Sequence, residues 1–314
     1  MKFAIEFICL FLTRRLRRKV RFWYKWRNQG IVVNWAMEVL RKKNAIDLCK
    51  DTVQVLVLGS SHGEYGFIPD EKSFNLCGAS QDLYLSYELY RRCAEFPKLK
   101  TVILFYSVFS SGAEVERTME KERCLYYRKF WGIPYRFHSD ADYVCKEKSL
   151  DAWLAGRDVL IEKEYRGLGS YDTFMPAGFN LCARIESHLK NNNRVDDQCI
   201  YVSRIAELAA KVGHRAVVVI PPVRSDYFSM LPPFDEIFER LKQTLQTHRN
   251  LSLISFMGDG LFSDEDFGDS DHLTLQGAGK LTKAIFQRLE VNSELDVGAP
   301  IEVCGESGHS GSKK

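Results

Sequence analysis

The stretch VQVLVLGSSHGEYGF, residues 53 to 67, runs an aliphatic segment directly into two serines, a histidine and three glycines. Residues 53 to 58 read as a strand covered on both faces, because the apolar residues are nearly continuous rather than alternating. Residues 59 to 66, GSSHGEYG, are too polar and too rich in glycine to prolong it, so the chain leaves a sheet there in a tight turn.

Four more short apolar runs recur along the chain: SFNL (73 to 76), TVILFYS (101 to 107), RAVVVI (215 to 220) and LSLISF (251 to 256). Helical periodicity separates them. QDLYLSYELYRRCAEF (81 to 96) repeats apolar residues at three- and four-residue spacing, and DDQCIYVSRIAELAAKVG (196 to 213) closes on a glycine suited to a C-cap. FDEIFERLKQTLQTH (234 to 248) and LTLQGAGKLTKAIFQRLE (273 to 290) are the remaining helical patterns. Strands alternating with helices predict an α/β fold, a doubly wound, flavodoxin-like three-layer sandwich of about five parallel strands joined by right-handed crossovers. Residues 113 to 195 interrupt the rhythm and read as a mostly helical insertion. The expected organisation is a basic helical arm over 1 to 50, the α/β domain over 51 to 292, and a flexible tail over 293 to 314.

Charge is unevenly placed. TRRLRRKVRFWYKWRN (13 to 28) holds eight Lys or Arg and no acid, leaving 36 basic against 41 acidic residues elsewhere in a chain of formal charge +3. A protein that coats nucleic acid spreads basic surface over its folded domain, so no nucleic-acid partner is expected. Phe, Leu and Trp mixed with Arg and Lys over residues 1 to 28 suit a helix lying on an anionic membrane surface. A solvated basic helix packed on the domain, or a partner-binding arm, are the alternatives. The apolar run before these charges, Phe3 to Leu12, is too short to span a bilayer. Nine cysteines without a Cys-x-x-Cys pair fit a reducing compartment and no metal site. The expected location is cytoplasmic, peripheral at the inner face of the membrane if the arm binds lipid.

In an open α/β sheet, ligands bind beyond the carboxyl ends of the strands near the point where strand order reverses, and residues 59 to 66 lie at such an end. A serine becomes nucleophilic beside a base whose tautomer is held by a carboxylate. DFGDSDHLTLQGAGKL (266 to 281) supplies both, with Asp269 and His272 spaced so that one turn of chain brings the two side chains together. Asp271 competes as the partner, but a residue immediately before a histidine usually projects elsewhere. His62 cannot easily turn back on its neighbour, so it is read as capping or substrate-facing rather than as the base. Taken alone, GDSDH is a helix cap. Arg224, in IPPVRSDYF (220 to 228), reaches the same edge as a binder of anionic substrate or as a surface ion pair. The Tyr and Trp residues of 126 to 135 suit either sugar stacking or the core.

LGSSHG after the first strand, paired with DSDHLTLQGAGKL before the last helix, resembles the SGNH, or GDSL-like, family of esterases and acyltransferases. Ser60 stands where that family usually has aspartate, a variant similar to branches that act on cell-envelope polysaccharides. The resemblance implies Ser61 as nucleophile, His272 as general base and Asp269 as its orienting partner. It implies an oxyanion hole made by the backbone of Ser61 and by Gly78 of FNLCGAS (74 to 80). The third block, LFYSVFSSG (104 to 112), lacks the family's asparagine, so Ser107 or Tyr106 replaces it or the hole has two donors. The implied activity is an O-acetyltransferase or esterase acting on a bacterial envelope carbohydrate, with no cofactor beyond an acyl donor such as acetyl-CoA. A non-catalytic carbohydrate-binding module and a membrane-associated assembly protein are the rival expectations.

Overall fold

The computed structural model describes residues 30–155, 162–171, 174, 180–194 and 197–295. Five strands, β1 (Val55–Leu58), β2 (Ser73–Asn75), β3 (Thr101–Phe105), β4 (Arg215–Ile220) and β5 (Leu251–Ser255), form one sheet in the order β2-β1-β3-β4-β5. All four pairings are parallel, with Leu56 opposite both Phe74 and Val102, and Val102 opposite Ala216. This is the flavodoxin-like order expected from the alternation of strands and helices, and it places the topological switch beside β1.

Side chains alternate across the sheet and fill two cores. Leu56, Leu58, Val102, Leu104, Val218 and Ile220 face one core. There they meet α1 (Gly30–Cys49), α3 (Leu83–Cys93), α4 (Arg123–Trp131), α7 (Cys199–Val212) and α10 (Glu239–Thr247). Val57, Ile103, Phe105, Val217 and Val219 face the other, where α11 (Leu275–Leu295) supplies Leu281, Ile285 and Leu289. The result is the three-layer arrangement, because helices cover both faces of a sheet whose strands are apolar on both sides.

The arm expected over residues 1 to 50 divides. From Gly30 it is the helix α1, and Ala36, Val39, Ala45, Ile46 and Cys49 sit in the same core as the strands. The basic stretch, residues 13 to 28, lies outside the described residues, as does the tail beyond Leu295. Among the described residues no helix is long and apolar enough to cross a membrane. The insertion between β3 and β4 contributes α4, α5 (Val144–Leu154) and α6 (Leu181–Asn192). Tyr126, Tyr127 and Trp131 of α4 are buried, so these aromatic residues serve the core and not a sugar platform.

The turn after β1 depends on close approach to β3. Gly59 has φ 137°, and a Cβ there would lie 2.7 Å from the Phe105 carbonyl oxygen and 2.8 Å from Phe105 Cβ. Gly63 and Gly66 pass over the same Phe105 ring. Gly59→Ala is therefore expected to lower stability by about 2–4 kcal/mol, combining left-handed strain with overpacking, in a urea titration.

Candidate active site

Ser60 is the extended N-cap (φ −80°, ψ −166°) of the short helix α2 (Ser61–Glu64), so Ser61 begins the helix just past the carboxyl end of β1. Ser61 is partly exposed, whereas Ser60 and His62 on either side are buried. The N–H of a first helical residue has no intrahelical acceptor and is free in principle to serve a ligand.

The second half of the site comes from the loop between β5 and α11. Asp269 Oδ1 accepts the backbone N–H of Asp271 at 3.1 Å and of His272 at 2.9 Å, folding GDSDH into a tight turn. The Gly268 N–H donates to the His272 carbonyl at 2.9 Å, and Lys280 of α11 pairs with Asp266 at 2.8 Å. The loop is thus held at both ends before any side-chain chemistry is considered.

Across 211 residues of sequence, His272 Nε2 lies 2.8 Å from Ser61 Oγ. His272 Nδ1 lies 2.9 Å and 3.1 Å from the two carboxylate oxygens of Asp269. Burial alone pushes the Asp269 carboxyl upward, but the hydrogen bond and charge of His272 outweigh it and hold Asp269 down at about 2. A carboxylate that stays ionised there fixes the tautomer with Nδ1 protonated, leaving Nε2 as the acceptor facing the hydroxyl. Half-buried Tyr65, Tyr171 and Phe174 stand beside this row, with Tyr65 centred 5.1 Å from the His272 ring.

Asp271 has a different place. Its carboxylate meets His62 Nε2 at 3.0 Å and takes a bidentate pair from Arg184 of α6, at 2.6 Å and 2.7 Å. His62 Nδ1 is 3.3 Å from Ser60 Oγ, so Ser60, His62 and Asp271 form a second Ser–His–Asp row. That row is buried throughout, at 2%, 5% and 2% exposure. His62 is therefore interior and not substrate-facing. Burial lowers its tendency to protonate despite Asp271, while Asp271 is held well below the usual carboxylate range: burial opposes ionisation, and His62, His272 and Arg184 overcome it.

The oxyanion donors differ from those the resemblance implies. The Gly78 N–H donates to the Gly59 carbonyl at 3.1 Å, locking the loop after β2 to the serine turn. The Ser107 N–H donates to Ser110 Oγ at 2.9 Å, and its hydroxyl is 3.4 Å from Ser60 Oγ. Tyr106 points into the core, 3.2 Å from Cys199 Sγ. Of the expected group, the Ser61 N–H heads α2, where a helix leaves its first N–H groups without an intrahelical acceptor. Arg224, the N-cap of the short helix α8 (Ser225–Ser229), is paired with Asp226 at 2.7 Å and 2.8 Å, the surface ion pair of the two readings, and its own N–H donates to the Ser270 carbonyl at 3.1 Å.

Arg184 escaped sequence reasoning because the insertion carries no motif and nothing local marks its partner. Nor did the sequence flag Lys42, buried under α2, whose Nζ lies 3.0 Å from both Glu38 and Glu64 and also meets the Cys77 carbonyl. His62, Asp271 and His272 stand close enough together to hold a cation, but Asp271 is already engaged by Arg184 and His272 by Ser61 and Asp269.

No family model matches the chain, and no curated protein matches it. It is similar to a solved chain described as "The structure of a putative platelet activating factor from Streptococcus pneumonia", at 11% identity and a TM-score of 0.42, over 84% of this chain and 98% of that one.

Proposed function

We propose that the protein is a serine-dependent acyl-transfer enzyme of the SGNH, or GDSL-like, type, an O-acetyltransferase or esterase acting on a bacterial envelope carbohydrate. The observation that carries the reaction class is the continuous row from Ser61 Oγ through His272 to Asp269. The carbohydrate comes from the resemblance of the GSSH and DSDH blocks alone.

Ser61 Oγ attacks the carbonyl carbon of an ester or thioester while His272 Nε2 takes the hydroxyl proton. The Ser61 N–H holds the resulting oxyanion, a contribution that grows in a site shielded from water. As the tetrahedral species collapses, His272 returns the proton to the leaving alkoxide or thiolate, and the acyl group remains on Ser61. Water or a sugar hydroxyl then attacks, losing its proton to His272, and Ser61 is released with its hydrogen restored. Asp269 stays ionised throughout and stabilises the imidazolium.

The reading of a binding module without chemistry requires no contact between Ser61 and His272, so the 2.8 Å hydrogen bond favours the enzyme. Incubation with p-nitrophenyl acetate, acid quench and peptide mass spectrometry is expected to find one acetyl group on the peptide containing Ser61. A burst of nitrophenol with no acetyl on that peptide would exclude Ser61 as the nucleophile.

A further inference from the structure

The two loops that carry the reacting side chains are also joined behind them. Ser60 and His62 flank Ser61, Asp271 precedes His272, and the contacts Ser60–His62–Asp271 tie the serine turn to the base loop at 3.3 Å and 3.0 Å. This joint has an anchor from outside both loops, because Arg184 grips Asp271 through two parallel N–H···O bonds. The guanidinium is mostly buried, at 13% side-chain exposure, and the carboxylate is fully enclosed. Such a fork constrains orientation as well as distance, which a lysine cannot do. Arg184 belongs to α6, in the insertion, where the neighbouring His188 lies 2.7 Å from Tyr227 and packs against His62 at 6.2 Å between ring centres.

We propose that Arg184 is a positioning residue for the site: through Asp271 and His62 it sets the register between the Ser61 turn and the His272 loop, so that the insertion controls assembly of the reacting pair. Arg184 does not touch the substrate in this assignment. It also neutralises Asp271, which otherwise presents a bare carboxylate to His62 and His272. The charged and titratable groups facing His62 are Asp271, His272 and His188, with Arg184 behind Asp271.

The rate readout rests on the acyl-transfer reading, whereas an imidazole titration by NMR does not. Arg184→Met is expected to lower kcat for p-nitrophenyl acetate by about tenfold to a hundredfold with little change in KM, as for a small misplacement of reacting groups. Arg184→Lys should recover only part of the loss. The His62 titration moves to higher pH in Arg184→Met, because the cation that disfavours its protonation is gone while Asp271 stays. It moves to lower pH in Asp271→Asn, which leaves the Arg184 cation unbalanced, so either variant tests the clamp if the other fails to fold. Lower thermal stability with unchanged titrations and unchanged kcat of the folded protein overturns the proposal. A wild type that never acylates, yet shows the opposed titration shifts, defeats the enzymatic reading and leaves the clamp standing.

Discussion

Ser61→Ala is expected to reduce acyl transfer on the order of 10⁶-fold in kcat while leaving the fold intact. The hydroxyl it removes lies on a partly exposed residue, and His272 stays anchored to Asp269 through Nδ1 when its Nε2 loses that partner. Circular dichroism and the urea midpoint should therefore match the wild type. His272→Ala falls as far, and the Ser61→Ala/His272→Ala double variant falls no further, because base and nucleophile act as one unit. Additive losses, or retained turnover in Ser61→Ala, would remove Ser61 from the mechanism. The buried Ser60 provides the control: reaction transferring to it would require the second Ser–His–Asp row to open.

Lys42→Met is expected to cost about 3–5 kcal/mol of stability in a urea titration at neutral pH, the range for breaking a buried ion pair from one side. Lys42 is buried among Glu38, Glu64 and the Cys77 carbonyl, and Glu64 ends the same short helix that Ser61 begins. Burial pushes the Glu64 carboxyl up from its ordinary 4.5 to about 7. Glu38 moves the other way, because Lys42 and a hydrogen bond from Glu64 outweigh its burial. The signs are opposite. Glu64 is stabilising in its protonated form, fully so below about pH 4.5, and that contribution disappears as pH rises through about 7. The Glu38 contribution is present above pH 4.5 and is lost as pH falls through its lowered value. Glu64→Gln imitates the protonated acid and should flatten the decline in stability between pH 4.5 and 7. An unchanged pH slope in that variant would place the proton elsewhere.

Much of the fold was legible because its signals are local. RAVVVI is a strand from Arg215 to Ile220 as its composition indicates, and the Gly213 C-cap adopts φ 78° where the helix was expected to stop. The run 234 to 248 is less regular than its periodicity suggests: it breaks into α9 (Phe234–Ile237) and α10 at Phe238, whose ring is buried in the core. Expected strands shortened at their ends, since Val53 and Tyr106 are buried without belonging to a strand.

The site divides along the same line. Serine after an aliphatic strand, and Asp-x-x-His before a helix, are properties of short segments, so the residue order was enough to name the candidates and to bring both blocks to one sheet edge. It was also enough to show that Asp269 could fold back on His272, because three residues of chain suffice to close that turn. Which neighbour is buried, which N–H is free and what enters from the insertion depend on contacts between distant segments. Tertiary packing turned His62 inward onto Asp271, committed the Gly78 N–H to Gly59, and brought Arg184 across 87 residues to the base loop. A hydrogen-bonding group in a crowded interior takes the partner that packing delivers, and no spacing within the chain records that choice.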